Sequence, residues 1–411
     1  MDRDPARERD EARSLALVNG QIVLPDRLVT GRALVVEGGR IAGLADAAGL
    51  PARVQRLDVG GRYVAPGLVD IHTHGAVGHS FNEPSQQAIA AIAAENARHG
   101  TTSLLATIAA APLADMLACL QACREWLATP RPGAQVLGVH LEGPYFSAAQ
   151  RGAQDLASLR SPDDGTPDRL LAYRDVVRMV SYAPELPGAL ELTRRLVELG
   201  IVPAAGHSAA RDTEVYAAVR AGLRHAIHLW SGQSTTVREG PWRRPGLLEA
   251  ALASDDLTGE IIADGKHLPP TLMQLAYRCK GPDRLCLVSD AVAGAGLPEG
   301  SRFRLAGNEY EVCDGVGMVP DRTAIAGSVT FVSRMVAILV EAVGVPLVEA
   351  VRMASLTPAR IVGVADRKGS LEAGKDADLV LFEADLRPWR VMIGGRWVDA
   401  ATMPFDASPQ P

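Results

Sequence analysis

A parallel (β/α)8 barrel carrying a small β-sandwich is the fold class that this 411-residue sequence predicts, and three observations carry the prediction. Eight apolar, strand-like runs recur between residues 65 and 290, separated by helical or loop segments, which is the alternation expected of a parallel barrel. Short alternating strands punctuated by glycine bracket that stretch on both sides. Six histidines and two acids fall at or just after the C-terminal ends of the eight runs, the end at which barrel enzymes carry their chemistry.

The chain opens on "MDRDPARERDEAR", charged throughout and without the apolar core of a signal peptide, so residues 1–13 are expected to form a disordered tail. "LALVNGQIV", "RALVVEGGRIAGLA" and "RYVAPGL" then give short strands with glycine turns, the N-terminal part of the sandwich over 14–64. The barrel is expected over 65–365. Its strands are "LVDIHTHG", "TTSLLATI", "QVLGVHLEG", "VVRMVSYAP", "IVPAAGHS", "RHAIHLWSG", "GEIIADGKH" and "RLCLVSDA". The segments "SQQAIAAIAAENARHG" and "ADMLACLQACREWLA" between the first three have helical character. "GSLEAGKDADLVLFEA" and "RVMIGGRWVDA" return to the strand pattern within 366–411. Neither flanking β segment can fold alone, so the two are expected to pair where the barrel termini approach each other.

Composition narrows the function. A net charge of −6, no basic stripe and 4% aromatics argue against nucleic acid or an anionic membrane as partner. No apolar run approaches the ~20 residues needed to span a bilayer. The five cysteines are scattered, without zinc-knot spacing, and suit reduced thiols in a cytoplasmic protein. Cys119 and Cys123, four apart, read as helix packing.

The strand ends carry the chemistry. His72 and His74 lie two apart on a strand and so point to one side, where two imidazoles can bind one cation. Glu142, His207 and His228 offer a second set of two nitrogens and one oxygen, leaving a position for water as hydrolytic metal sites do. Asp290, at the end of the eighth run, can hold that water and take its proton; its plainer role would be a helix cap. His267 can polarise a carbonyl or hold an anionic group, and His140 or His267 can steady an oxyanion.

"PGLVDIHTHG", "HLEGPYFS", "AAGHS", "HLW", "ADGKH", "LVSDA" and "AIAGS" resemble, in this order, the motifs of the amidohydrolase superfamily. Within it the set is similar to the N-acetylglucosamine-6-phosphate deacetylase family, over about residues 14 to 400. "HLEGP" is the specific element, placing glutamate where many superfamily members use a carbamylated lysine. The resemblance implies that Glu142, His207 and His228 hold the main metal, that Asp290 is the catalytic acid and base, and that His72 and His74 are the pair able to bind a second metal. One or two divalent cations are thus expected, zinc first and iron, manganese or cobalt as alternatives.

By the same resemblance His267 contacts substrate, and Arg243 in "WRRPG" meets the sugar phosphate from the neighbouring subunit of a homodimer. Gln154 departs from the pattern, since "GAQ" stands where the family has "GAH". Ser231 and Gly232 in "HLWSG" likewise replace the amide and small residue of "HLFN" or "HLYN" in the sugar pocket. The expected reaction is hydrolysis of N-acetylglucosamine-6-phosphate to glucosamine-6-phosphate and acetate. Another N-acylated sugar or small acylamine is the alternative that Gln154 and Ser231 raise. A silent scaffold would be expected to have lost ligands or the acid, and all are present.

Overall fold

The computed structural model describes residues 14–398; the expected tail at 1–13 and the end of the expected C-terminal segment, 399–411, lie outside them. Eight strands form the barrel: β1 (Leu68–Thr73), β2 (Thr101–Ala109), β3 (Gln135–Glu142), β4 (Val177–Tyr182), β5 (Val202–Ala205), β6 (His225–Ala226), β7 (Thr258–Ile261) and β8 (Leu285–Leu287). They pair in chain order, every ladder parallel. Just beyond β8, the Asp290 N–H donates to the His72 carbonyl at 2.8 Å, which closes the seam onto β1. Strands covered on both faces need no polar side, and β1 and β2 are accordingly buried at every residue.

A helix follows each strand: α1 (Gln86–Arg98), α2 (Leu113–Leu127), α3 (Thr166–Leu171), α4 (Ala189–Glu198), α5 (Asp212–Ala221), α6 (Leu247–Ala253), α7 (Pro270–Lys280) and α8 (Val332–Ile338). Local chemistry sets their ends. The Ser85 hydroxyl accepts the Ala88 N–H at the start of α1, and Gly100, at φ 89°, turns the chain out at its end. In α4, Ala189, Leu192, Thr193 and Leu196 are buried, one stripe at helical spacing against the barrel.

The flanking segments form two sheets. Leu15–Val18, Ala33–Glu37, Arg40–Ala45 and Gln55–Asp58 make one of four strands. The second, of six strands, joins both ends of the chain: Tyr63–Pro66 runs antiparallel to Leu379–Phe382, with Val64 opposite Leu381. The two-residue period of a strand then divides its side chains. Val64, Leu379 and Leu381 enter the core between the sheets, whereas Ala65, Val380 and Phe382 enter the core of the barrel. Buried Lys368 pairs with Asp378 at 2.5 Å and Asp376 at 3.0 Å beside this junction.

One element has no counterpart in the sequence reading. After β8 the chain builds an antiparallel meander from Arg302–Leu305, Asn308–Cys313, Val316–Met318 and Ile325–Ser328. It has its own small core of Val292, Phe303, Tyr310 and Val312, and a bridge from Ser328 to Ala291 fixes it to the barrel. This sheet forms one wall of the cavity described next.

Candidate active site

The C-terminal ends of the barrel strands open into a cavity of about 280 Å³. Glu142 ends β3 at its floor, and four imidazole Nε2 atoms surround its carboxylate. His207 and His228 stand 3.1 and 3.0 Å from Oε1; His74 is 3.4 Å from Oε2, and His72 is 3.6 Å from Oε1. Asp290 completes the group, its Oδ1 3.3 Å from His74 and 3.6 Å from His72. His207, His228 and Asp290 all take positive φ, at 44°, 23° and 47°. Left-handed backbone at a residue with a Cβ costs on the order of 1–3 kcal/mol and is typical of functional turns.

The electrostatics ask for a cation. Glu142, Asp290 and the neighbouring Glu260 are three buried carboxylates, and among the described residues their only ionic partners are histidines. His72 Nε2 is buried without any hydrogen-bond partner among the described residues. Burial disfavours charge on His72, yet Glu260, Glu142 and Asp290 outweigh it and hold its pKa well above the ordinary value. Burial likewise opposes charge on Asp290, but the His74 contact and the imidazoles of His72 and His228 keep its carboxyl below the usual range. Two donor groups, His72–His74–Glu142 and Glu142–His207–His228, each gather within 4.8 Å. The residues fit a divalent cation at either group.

Other predicted residues sort differently. His267 lines the cavity and is fixed by Asp264, whose Oδ2 lies 2.7 Å from Nδ1; burial opposes its charge, but Asp264 and Asp290 raise its pKa. Ser231 and Gly232 line the cavity too. Gly232 takes φ 55°, and a Cβ there would come within 2.5 Å of His207 Nδ1, so the position answers first to the histidine.

Three further predicted residues take these places in the structure. Gln154, taken as a substrate contact, lines the cavity but donates its amide to Glu142 Oε2 at 2.7 Å and accepts the Ala110 N–H at 3.1 Å. His140 does not reach the cavity. Two residues before Glu142 on β3, it points the same way one layer deeper, fully buried, with Nε2 2.6 Å from Ser181 Oγ. Burial also pushes its pKa well below the ordinary value, as suits a neutral core imidazole. Arg243 lies on the exposed hairpin of Val237–Glu239 and Trp242–Arg244, away from the lining of this chain's cavity.

The sequence reading missed Glu260, Asp264, Asn308 and Tyr310. A glutamate inside the apolar run "GEIIADGKH" was a usable signal for the first, because carboxylates are rarely buried without a partner. Asn308 and Tyr310 line the cavity from the meander, and nothing in their local pattern marks them.

Comparison with known proteins agrees with this geometry. The amidohydrolase family model matches residues 63–398. An Escherichia coli protein named N-acetylgalactosamine-6-phosphate deacetylase is 35% identical over 351 residues, covering 84% of this chain and 90% of its own length. A Haemophilus influenzae N-acetylglucosamine-6-phosphate deacetylase is 32% identical over 384 residues, covering 93% and 98%. The crystal structure of N-acetylglucosamine-6-phosphate deacetylase from Pasteurella multocida superposes with a TM-score of 0.88 at 31% identity, covering 93% of this chain and 99% of that one. With the cation-binding floor at the barrel mouth, these matches establish that the chain belongs to the amidohydrolase family, and its full-length relatives there are amino-sugar-phosphate deacetylases.

Proposed function

We propose that this hydrolase removes the acetyl group of N-acetylglucosamine-6-phosphate, releasing glucosamine-6-phosphate and acetate. The observation that carries the reading is the convergence of four imidazoles on Glu142, all within 3.6 Å, with Asp290 beside them. The names of the relatives supply the substrate.

Glu142, His207 and His228 would hold one divalent cation, and His72, His74 and Glu142 form the group that would hold a second. Zinc is the first candidate for this nitrogen-rich set, with iron, manganese and cobalt as alternatives. The chemistry that a divalent cation would supply there is a lowered pKa for a bound water, towards ~7, and Lewis acidity toward a carbonyl. Asp290, ionised and next to the donor groups, takes the proton of the attacking water and passes it to the departing nitrogen. His267, oriented by Asp264 at Nδ1, donates to a substrate oxygen. Gln154 keeps Glu142 in place rather than meeting the sugar.

Among the described residues the cavity lining contains neither lysine nor arginine, so a guanidinium or ammonium to meet a phosphate seated there would come from outside it. Arg243 of the partner subunit in a homodimer fills that need, and its forked donors suit phosphate. Among the described residues no helix is long and apolar enough to cross a membrane, and all five cysteines are free, which supports a cytoplasmic setting.

A second reading, N-acetylgalactosamine-6-phosphate as substrate, is favoured by the 35% identical relative of that name and by Ser231 and Gly232 at the cavity edge. Acetate release from both sugar phosphates, by metal-loaded and by chelated protein, tests the two together. The larger kcat/KM names the substrate. Failure to cleave either, with metal bound, overturns the substrate class.

A further inference from the structure

Glu260 is a buried carboxylate that the hydrolytic steps leave unused. It sits on β7, fully enclosed, where an unpaired charge would be expensive. Its Oε2 lies 2.8 Å from His72 Nδ1 and accepts the His228 N–H at 3.1 Å. Its Oε1 lies 2.9 Å from His225 Nε2. Behind it, His225 Nδ1 is 2.7 Å from Thr258 Oγ1, and that hydroxyl's other contact, the Arg224 carbonyl, is longer at 3.1 Å.

This chain fixes two tautomers. An ionised carboxylate only accepts hydrogen bonds, so both nitrogens facing Glu260 carry hydrogen. His72 therefore carries hydrogen on Nδ1, and Nε2, between Glu142 and Asp290 and 3.6 Å from each, is the atom that a cation there would meet. His225 takes the opposite tautomer, with Nδ1 accepting from the Thr258 hydroxyl at the shorter of its two contacts. The other imidazoles around Glu142 are backed differently. His207 Nδ1 meets the Gln150 carbonyl at 2.9 Å, and the Nδ1 atoms of His74 and His228 have no partner among the described residues. Of the four, His72 alone has a carboxylate behind it.

We infer that Glu260, backed by His225, is a positioning residue that fixes His72 Nε2 as a cation ligand and strengthens the His72–His74 position over the His207–His228 position. The inference rests on the two-cation reading above. A carboxylate behind a ligating imidazole fixes its orientation and raises its basicity, and removing such a partner typically weakens metal affinity 10–100-fold.

The test is a cobalt(II) titration of metal-free, full-length protein, followed by visible absorption and metal analysis. Wild type is expected to take two equivalents. Glu260→Gln keeps the shape and loses the charge; it should retain one tight equivalent and bind the second about 10–100-fold more weakly. His225→Gln should weaken the same equivalent by less. A second equivalent bound by Glu260→Gln as tightly as by wild type overturns the inference and leaves two cations standing. A wild type that takes only one cobalt overturns both, and does so without reference to any variant. Where the variant does not fold, nitrogen-15 spectra of histidine-labelled, zinc-loaded wild type decide. A His72 with hydrogen on Nδ1 supports the inference, and one with hydrogen on Nε2 overturns it.

Discussion

On the floor of the cavity four functional side chains are gripped from behind: Gln154 holds Glu142, the Gln150 carbonyl holds His207, Glu260 holds His72 and Asp264 holds His267. On the facing wall, Asn308 is exposed and the Tyr310 hydroxyl donates to the Ala153 carbonyl at 3.3 Å, a long contact. The floor is drawn from six different barrel strands or the turns after them, whereas the wall comes from one meander inserted after β8. A floor held this way has little reorganisation left to do when charge moves across it. The wall is free to change with the substrate without disturbing the chemistry, which fits close relatives named for two different sugar phosphates.

Variants on the two regions should therefore separate rate from recognition. The largest effect is expected at Asp290, where Asp290→Asn should lower kcat by ~10²–10⁴-fold, the usual worth of a general acid–base group, with bound metal unchanged. Full activity in that variant would remove Asp290 from the mechanism. Next comes Gly232→Ala, whose new methyl would lie 2.5 Å from His207 Nδ1 and 2.9 Å from the Gln150 carbonyl. Metal analysis should show the His207–His228 position weakened about 10–100-fold, the scale seen when a ligand's support is disturbed.

Tyr310→Phe on the wall should be milder. Removing a neutral hydrogen bond is worth about 0.5–1.5 kcal/mol, so KM should rise roughly two- to tenfold with kcat and metal content intact. A loss of metal in Tyr310→Phe would break the division between floor and wall.

The smallest effect lies outside both regions and sets the background. Lys280, buried at the end of α7, donates to the carbonyls of Ala251 and Ser254, and burial pushes its pKa down to about 8 from 10.5. Between those values the unfolded chain holds a proton that the folded chain has lost, so the Lys280 contribution to stability rises with pH across that window. Melting curves at pH 8 and pH 10 should show wild type gaining on Lys280→Met as pH rises. A constant difference would argue against the shift.

The same division explains what could be read in advance. His72, His74, Glu142, His207, His228 and Asp290 stand at strand ends in a parallel barrel, and that topology alone brings them together; the structure gathers all six within one cluster. The strands were legible because doubly covered strands are nearly all apolar. Which side chain grips which depends on tertiary distance and leaves little trace in local pattern. The Gln154 grip on Glu142 and the place of His140 one layer below it are contacts of that kind. The meander escaped because its strands are short and half exposed, and their pattern resembles loop.

The six-stranded sheet has a consequence for how the chain is made. Leu379–Phe382 fits between Tyr63–Pro66 and Pro388–Ile393, and the neighbouring Arg62–Glu383 pair spans 321 positions of sequence. A ribosome adding ~5–20 residues per second needs tens of seconds to cover that distance. Throughout that time Tyr63–Pro66 presents an open edge, and the barrel lacks the side chains of Val380 and Phe382 that finish its packing. A strand made early is thus completed by one made 321 positions later, and in the interval its edge is open to pairing with neighbouring chains.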